Sequence, residues 1–399
     1  MKIKFINHAC FIVESSGQRI MCDPWFNETV FDNGWSLVHE VDVPAPQEYD
    51  YVWVSHEHPD HFRPSLFLNG TIPNEKKIIL QQRTKDKKLL NWFNNKKYSV
   101  LEVPNDGYLK LDDDFNLSGD LNYDFDSWVC FKSGDKTILN LNDCISFKTD
   151  HEIQQLKDKV GHVDLLMVQF SFANWTGNRG DLKTPQKAKN IILKNLKRIF
   201  DVIKPSYILP FASFVYFSHE ENFYLNSNSI KIDDFVDHFS EENIVVMKPG
   251  DQWDISEKWT DNSKNINFWK NSFNNIDKTL LTKTKTANME QLEQSFLNMK
   301  QKIHEKNDMS AFAAEVSDLH PCKIFLTDLA TAFSFDILSD FKKIPSVQEE
   351  CDISMSSESL LNVMKNSWGF GTLMINGRFQ ANYESFHNFV KQTRLDYMN

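Results

Sequence analysis

The chain has 399 residues, a formal net charge of −11, 41% hydrophobic residues and 25% charged residues. That length allows two domains and a sizeable core, and the composition is ordinary for a globular protein. The acidic balance disfavours nonspecific binding to nucleic acid or to an anionic membrane, and no apolar run of about 18 residues is present to span one.

The opening residues, Met1 to Phe5, run directly into a strand pattern rather than a signal peptide. Short β-branched or aromatic runs predict strands over 2–6, 9–14, 18–22, 51–55, 77–81, 99–103, 127–132 and 136–141. Thr84 to Phe93 predicts a short helix, with Thr84 as its N-cap. Residues 163–168 read as another buried strand. Thr184, as N-cap before Pro185, then opens an amphipathic helix whose apolar face runs from Ala188 to Ile203 and which stops at Pro205. Tyr207 to Leu209 begins the next strand.

Near residue 255 the composition changes. Residues 256–287 are rich in Asn, Lys, Ser, Asp and Thr and read as a polar linker or a solvated excursion. Beyond it come a helix carrying Met289, Leu292, Phe296, Met299 and Ile303, strand-like runs at 322–327 and 331–338, and a helix at 356–366. Thr372 to Ile375 precedes Asn376-Gly377-Arg378-Phe379, read as a glycine-containing hairpin. The expected division is 1–255, 256–287 and 288–399. Six cysteines, at 10, 22, 130, 144, 322 and 351, form no Cys-x-x-Cys pair. They read as buried free thiols, which points to a cytoplasmic protein.

The densest chemistry lies at residues 55–62, Ser-His-Glu-His-Pro-Asp-His-Phe. His56, His58, Asp60 and His61 fan out from one loop at the end of the strand Tyr51 to Val54. Imidazole and carboxylate together suit zinc, iron or manganese.

This spacing resembles the signature of the metallo-β-lactamase fold. The N-terminal stretch, with His8-Ala9 before one strand and Asp23-Pro24-Trp25 after the next, is similar to the hairpin of that fold's UlaG-like branch. Thr137 to Cys144 resembles the strand that ends in a metal-bridging aspartate, here Asp143, and Cys144 beside it is the one thiol expected near the site. The similarity covers roughly residues 1–255. It implies an α/β fold, an αββα sandwich, followed by a smaller α+β C-terminal domain. That second part resembles sterol-carrier-like domains, or else packs on the core or mediates a homodimer.

The resemblance also implies one or two divalent metal ions. His56, His58 and a third histidine would hold one; Asp60, His61 and a last histidine the other; Asp143 would lie between. No histidine occurs between His61 and His151, so the third ligand departs from the pattern. Asn122 aligns with it, and Asp120, Asp124 or Asp126 could substitute. A carboxylate there would lean the site towards iron or manganese. The expected Pro-x-His reads Pro210-Phe211-Ala212, which leaves His219 as the nearest candidate for the last ligand. His8 is a candidate for metal or substrate, Asp23 for orienting the histidines from behind, and Arg179 for an anionic substrate group.

The departures at Pro210-Phe211-Ala212 and the stretch Lys248-Pro249-Gly250-Asp251 resemble the CMP-N-acetylneuraminate hydroxylase relatives within this fold. Those hydroxylases carry a Rieske domain, which needs Cys-x-His and Cys-x-x-His ligand pairs. This chain has neither pair, so electron delivery from a cluster within it is excluded. Three functions are expected in order. The first is hydrolysis of a small-molecule ester, amide or phosphodiester by metal-activated water, with Asp60 as the catalytic carboxylate. The second is di-iron oxygen chemistry, and the third is non-catalytic ligand binding.

Overall fold

The computed structural model describes residues 1–122, 126–172, 174–315 and 320–393, without the side chains of residues 122 and 313–315. Asp124 and the Asn122 side chain, both candidates for the third ligand, therefore lie outside the described residues.

Two sheets face each other. The first has seven strands, in the order Gln252–Asp254, Lys2–Asn7, Cys10–Ser15, Gln18–Cys22, Tyr51–Trp53, Lys77–Gln81, Val100–Val103. The second has six: Tyr207–Phe211, Leu165–Gln169, Lys136–Asn142, Asp126–Ser133, Phe115–Asn122, Leu109–Lys110. Strand alternation sorts the first sheet's side chains into two cores. Phe11, Val13 and Ile20 join the second sheet's Phe131, Leu139 and Leu165 in the central core. Their neighbours Ile12, Met21, Val52 and Ile78 point the other way, under the helices Pro64–Leu68 and Lys88–Asn95. The helices Asp150–Val160 and Lys183–Ile203 contribute Ile153, Leu156, Leu196 and Ile199 to the central core. This is the expected αββα arrangement.

The helix Lys183–Ile203 links the parallel strands Leu165–Gln169 and Tyr207–Phe211, as a parallel pair requires. Its first turn is capped from upstream, for Asp181 accepts from the N–H groups of Lys183 and Thr184 at 2.9 and 3.1 Å. Thr184 is thus inside the helix and not its cap. Similarly, the short helix expected from Thr84 begins only at Lys88.

Two further expectations are corrected. The polar stretch 256–287 contains the helix Ser263–Asn274, whose Trp269 is fully buried in the central core and stacks on Phe214 at 3.7 Å between centroids. Its polar composition reflects the helix's outer face, and one tryptophan anchors it. Residues 369–376 form a helix rather than a strand, with Gly377 at φ 64° as its left-handed C-cap. An Asn-Gly pair serves a hairpin turn and a helix end equally well, because both need a positive φ.

The C-terminal residues build a separate five-stranded sheet, in the order Phe341–Ile344, Thr331–Phe335, Cys322–Leu326, Ile353–Met355, Phe379–Ala381. The helix Met289–Lys306 covers it with Leu292, Phe296, Met299 and Ile303; Met289 itself is exposed. All six cysteines are free and buried, and Cys144 belongs to the central core. Among the described residues no helix is long and apolar enough to cross a membrane.

The seam between the two parts holds a buried charge knot. The Arg378 guanidinium, fully buried, donates to Glu221 at 2.7 Å, to Glu358 at 2.6 Å, and to both the carboxylate and the backbone carbonyl of Asp32 at 2.9 and 3.0 Å. Asn376 donates to the Phe31 carbonyl at 3.1 Å. A Cβ on Gly34 would collide with the Cβ of Asn376, so this close approach requires glycine.

Candidate metal centre

The four loop residues are brought together as expected. His56 and His58 rings lie 4.6 Å apart and His56 and His61 rings 4.3 Å apart, between centroids. Three overlapping groups of donors converge: His56, His58 and Asp126; His56, His61 and Asp143; His8, Asp60 and His61. Asp126 stands 3.5 Å from His56 Nε2, and Asp143 Oδ2 stands 3.8 and 3.6 Å from the Nε2 atoms of His56 and His61. Asp60 Oδ2 is 3.3 Å from the Nε2 atoms of both His8 and His61.

His8 and Asp60 are close enough to hydrogen-bond, but the other separations suit donors flanking a cation better than hydrogen-bonded pairs. Among the described residues, His61 Nε2 and one oxygen each of Asp60, Asp126 and Asp143 are buried without a hydrogen-bond partner. Orphaned polar atoms on four converging side chains would be costly unless a ligand satisfies them. The donor set therefore fits one or two divalent ions.

Electrostatics agree. Burial pushes Asp143 up to about 8, with His61 opposing and neighbouring aspartates adding to the rise. Burial also raises Asp126. Burial, then the charge of His61 and His58, holds His56 well below its ordinary value. At Asp60 burial acts upwards, but His61 and His8 outweigh it and hold the carboxyl well down. Carboxylates crowded this closely repel one another, and cations between them would relieve it.

A buried polar hub fixes the cluster from behind. Asp23 accepts from the Ser55 N–H and hydroxyl, both at 2.8 Å, and from Asn142 Nδ2 at 2.7 Å; its Oδ2 lies 3.0 Å from His61 Nδ1. Ser55 Oγ in turn lies 2.9 Å from His56 Nδ1. Four residues at strand ends around the site adopt positive φ: His8 at 46°, Asp23 at 40°, Asn142 at 53° and Ala212 at 51°. Each such conformation costs about 1–3 kcal/mol, a strain found preferentially at functional sites. Ser55 and Asn142 were not among the expected residues, although both adjoin expected ligands in sequence.

One expectation narrows and two change. Among the described residues Asp126, one of the expected substitutes for the third ligand, joins the cluster, and it pairs with Asn122 across a hairpin. His219 does not reach the cluster. It is buried in the charge knot, 3.4 Å from Glu221 and 3.9 Å from Glu358. His8 stands with Asp60 and His61 instead, and Ala212 donates its N–H to the His8 carbonyl at 2.9 Å. Arg179 is exposed, stacks over Tyr224 at 5.0 Å and donates its backbone N–H to Gln380 Oε1 at 2.6 Å, away from the cluster. A cavity of about 480 Å³ opens over His58, Asp60, Asp126 and Asp143.

The family model for the beta-lactamase superfamily domain matches residues 2–212. The chain belongs to the beta-lactamase superfamily. Within that superfamily it is similar to a putative Rieske 2Fe-2S iron–sulfur protein of Mycobacterium tuberculosis, 28% identical over 208 residues, covering 48% of this chain and 38% of the relative. A UPF0173 protein of Pyrococcus furiosus is 37% identical over 62 residues, 16% of this chain and 23% of the relative. The chain thus spans less than half the length of these curated relatives. Among solved structures, isothiocyanate hydrolase from Delia radicum gut bacteria matches with a TM-score of 0.46 and 13% identity, over 64% of this chain and 98% of that one. The diiron β-hydroxylase CmlA of Streptomyces venezuelae matches at 0.37 and 14% identity, over 53% and 44%. At these scores neither likeness bears on the reaction.

Proposed function

We propose that the chain is a dinuclear metal enzyme that hydrolyses a small-molecule ester, amide or phosphodiester. Residues 1–255, with the helix Ser263–Asn274 packed into their core, form its metal-binding domain, and 288–399 a smaller domain that closes over the site. The observation that carries this reading is the overlap of the three donor groups, in which Asp143 shares His56 with one outer group and His61 with the other. His56, His58 and Asp126 would hold one divalent ion and His8, Asp60 and His61 the second, with Asp143 common to both. When bound, the ions supply Lewis acidity and an acidified water. Asp60 presents one oxygen that no residue claims, so it can hold a water or accept its proton. Asp23, Ser55 and Asn142 keep the His56 and His61 rings in one orientation.

One observation favours a second reading, oxygen chemistry at two irons. Asp126 supplies a carboxylate where the resemblance places a third histidine, and a harder donor set suits iron or manganese. The Rieske name of the mycobacterial relative is compatible with redox company for this domain.

The test is metal identity and stoichiometry in protein purified without added metal or chelator, alongside His58→Ala and Asp143→Asn. Zinc supports hydrolysis. About two irons per chain, with oxygen uptake on reduction, moves the assignment to an oxygenase. Unchanged metal content in both variants overturns the site itself.

A further inference from the structure

The cavity above the metal centre has a second wall that does not come from the metal-binding domain. Phe370, Met374 and Ile375, on the helix Gly369–Asn376, line it. Phe31, Trp35 and Ile192 of the metal-binding domain line the rest of its apolar surface. Phe31 packs edge-on against Trp35 at 4.8 Å and against His58 at 6.2 Å, so the apolar surface begins at the metal ligands themselves. Beyond the metal-ligand candidates, the polar residues on the walls, Gln169 and Asn174 among them, are uncharged. No lysine or arginine lines the cavity among the described residues.

This second wall is fixed in place. Asn376 and Arg378, which end the helix, bind the backbone of Phe31 and Asp32. Phe31, Asp32 and Asn33 all carry positive φ, at 51°, 56° and 58°. Trp175 also donates its N–H to the Met374 carbonyl at 2.7 Å. A loop held in three successive unfavourable conformations, tied to that helix, makes a pre-formed pocket.

We infer that the C-terminal helix Gly369–Asn376 is the specificity wall of this site, and that the substrate carries an uncharged apolar body packed against Phe31, Trp35 and Ile192 of the metal-binding domain and Phe370, Met374 and Ile375 of that helix. The reacting group would lie at the metals, and to that extent the inference rests on the proposed metal site. An ionic group on the body would lose hydration with no counter-charge to meet it, which the cavity's makeup penalises.

The experiment titrates the full chain with the uncharged fluorophore N-phenyl-1-naphthylamine, as purified and again after chelator treatment. Binding of one probe molecule per chain is expected in both. Met374→Asp and Ile192→Asp, one from each part of the chain, should each weaken it at least tenfold, as should Met374→Trp, which fills the space without adding charge. Leu297→Asp, on an exposed position of another helix, should leave it unchanged. Displacement by n-alkan-1-ols from butanol to octanol should tighten about fourfold per methylene. Absent probe binding, a flat alcohol series, or unchanged affinity in the wall variants that retain the native near-ultraviolet dichroism would overturn the inference. Because the chelated protein is also read, this failure is distinct from failure of the metal site, which appears only in metal content.

Discussion

Arg378→Met isolates what holds the two parts together. The guanidinium makes four hydrogen bonds of 2.6–3.0 Å, to the carboxylates of Glu221, Glu358 and Asp32 and to the Asp32 carbonyl. Burial alone would oppose its charge, but Glu221 and Asp32 outweigh that and strengthen it; burial meanwhile raises Glu221. Methionine matches much of the volume but leaves three carboxylates facing one another. Breaking a buried ion pair by removing one partner costs about 3–5 kcal/mol. The carboxylate side chains keep 18–19% of their surface exposed, so water softens the repulsion and the lower end, about 3 kcal/mol, is expected. Urea denaturation followed by tryptophan fluorescence measures the loss. Adding Glu221→Gln and Glu358→Gln to Arg378→Met should recover at least half of it, because two of the three uncompensated charges are then gone and only Asp32 keeps its own. A loss below about 1 kcal/mol in the single variant, the range of an exposed pair, would refute the reasoning. So would a triple variant no more stable than the single one.

His219 makes the same region pH-sensitive. Burial first, then the Arg378 charge, lowers it from 6.5 to about 4, and its Nδ1 accepts from the Glu221 N–H at 3.3 Å. The unfolded chain therefore binds a proton more readily between those values. The stability His219 permits is complete above pH 6.5 and is lost as pH falls towards 4, by up to about 3 kcal/mol. His219→Gln should flatten that part of the denaturation profile, and equal pH slopes in variant and parent would exclude the effect. Trp269→Ala should cost about 3–5 kcal/mol through the cavity left against Phe214, measured by the same denaturation. A cost under about 1 kcal/mol would mean that helix Ser263–Asn274 is peripheral after all.

The strands at 18–22, 77–81 and 136–141 were legible because continuous apolar runs are buried on both faces, and the structure places them within a residue. Phe115–Asn122 was not, since Ser118, Gly119 and Asp120 interrupt its pattern. Gly119 is there because the Gln81 side chain occupies the space a Cβ would need, a cross-sheet contact invisible in a linear chain. Of the metal centre, His56, His58, Asp60 and His61 were legible because one loop carries them. Asp126 was one of four candidates for the third ligand, and choosing it required the fold, which sets it opposite Asn122 across a hairpin. His219 was suggested by closeness in sequence to Ala212, but the chain turns away at Val215–Phe217 to pair with Trp35–Leu37.

The two departures from the resembled pattern are of different kinds, and only one alters the charge of the centre. His8 comes from another strand end and keeps an imidazole in the group with Asp60 and His61, so the donor type there is preserved. Asp126 replaces a neutral ring with a carboxylate. Two divalent cations against Asp60, Asp126 and Asp143 would leave a single positive charge, where a histidine in place of Asp126 would leave two. Less residual charge means a weaker Lewis acid, but also easier access to a higher metal oxidation state. The same aspartate therefore lowers the return from hydrolysis and raises it for redox chemistry, which is why metal identity is the measurement on which the assignment turns.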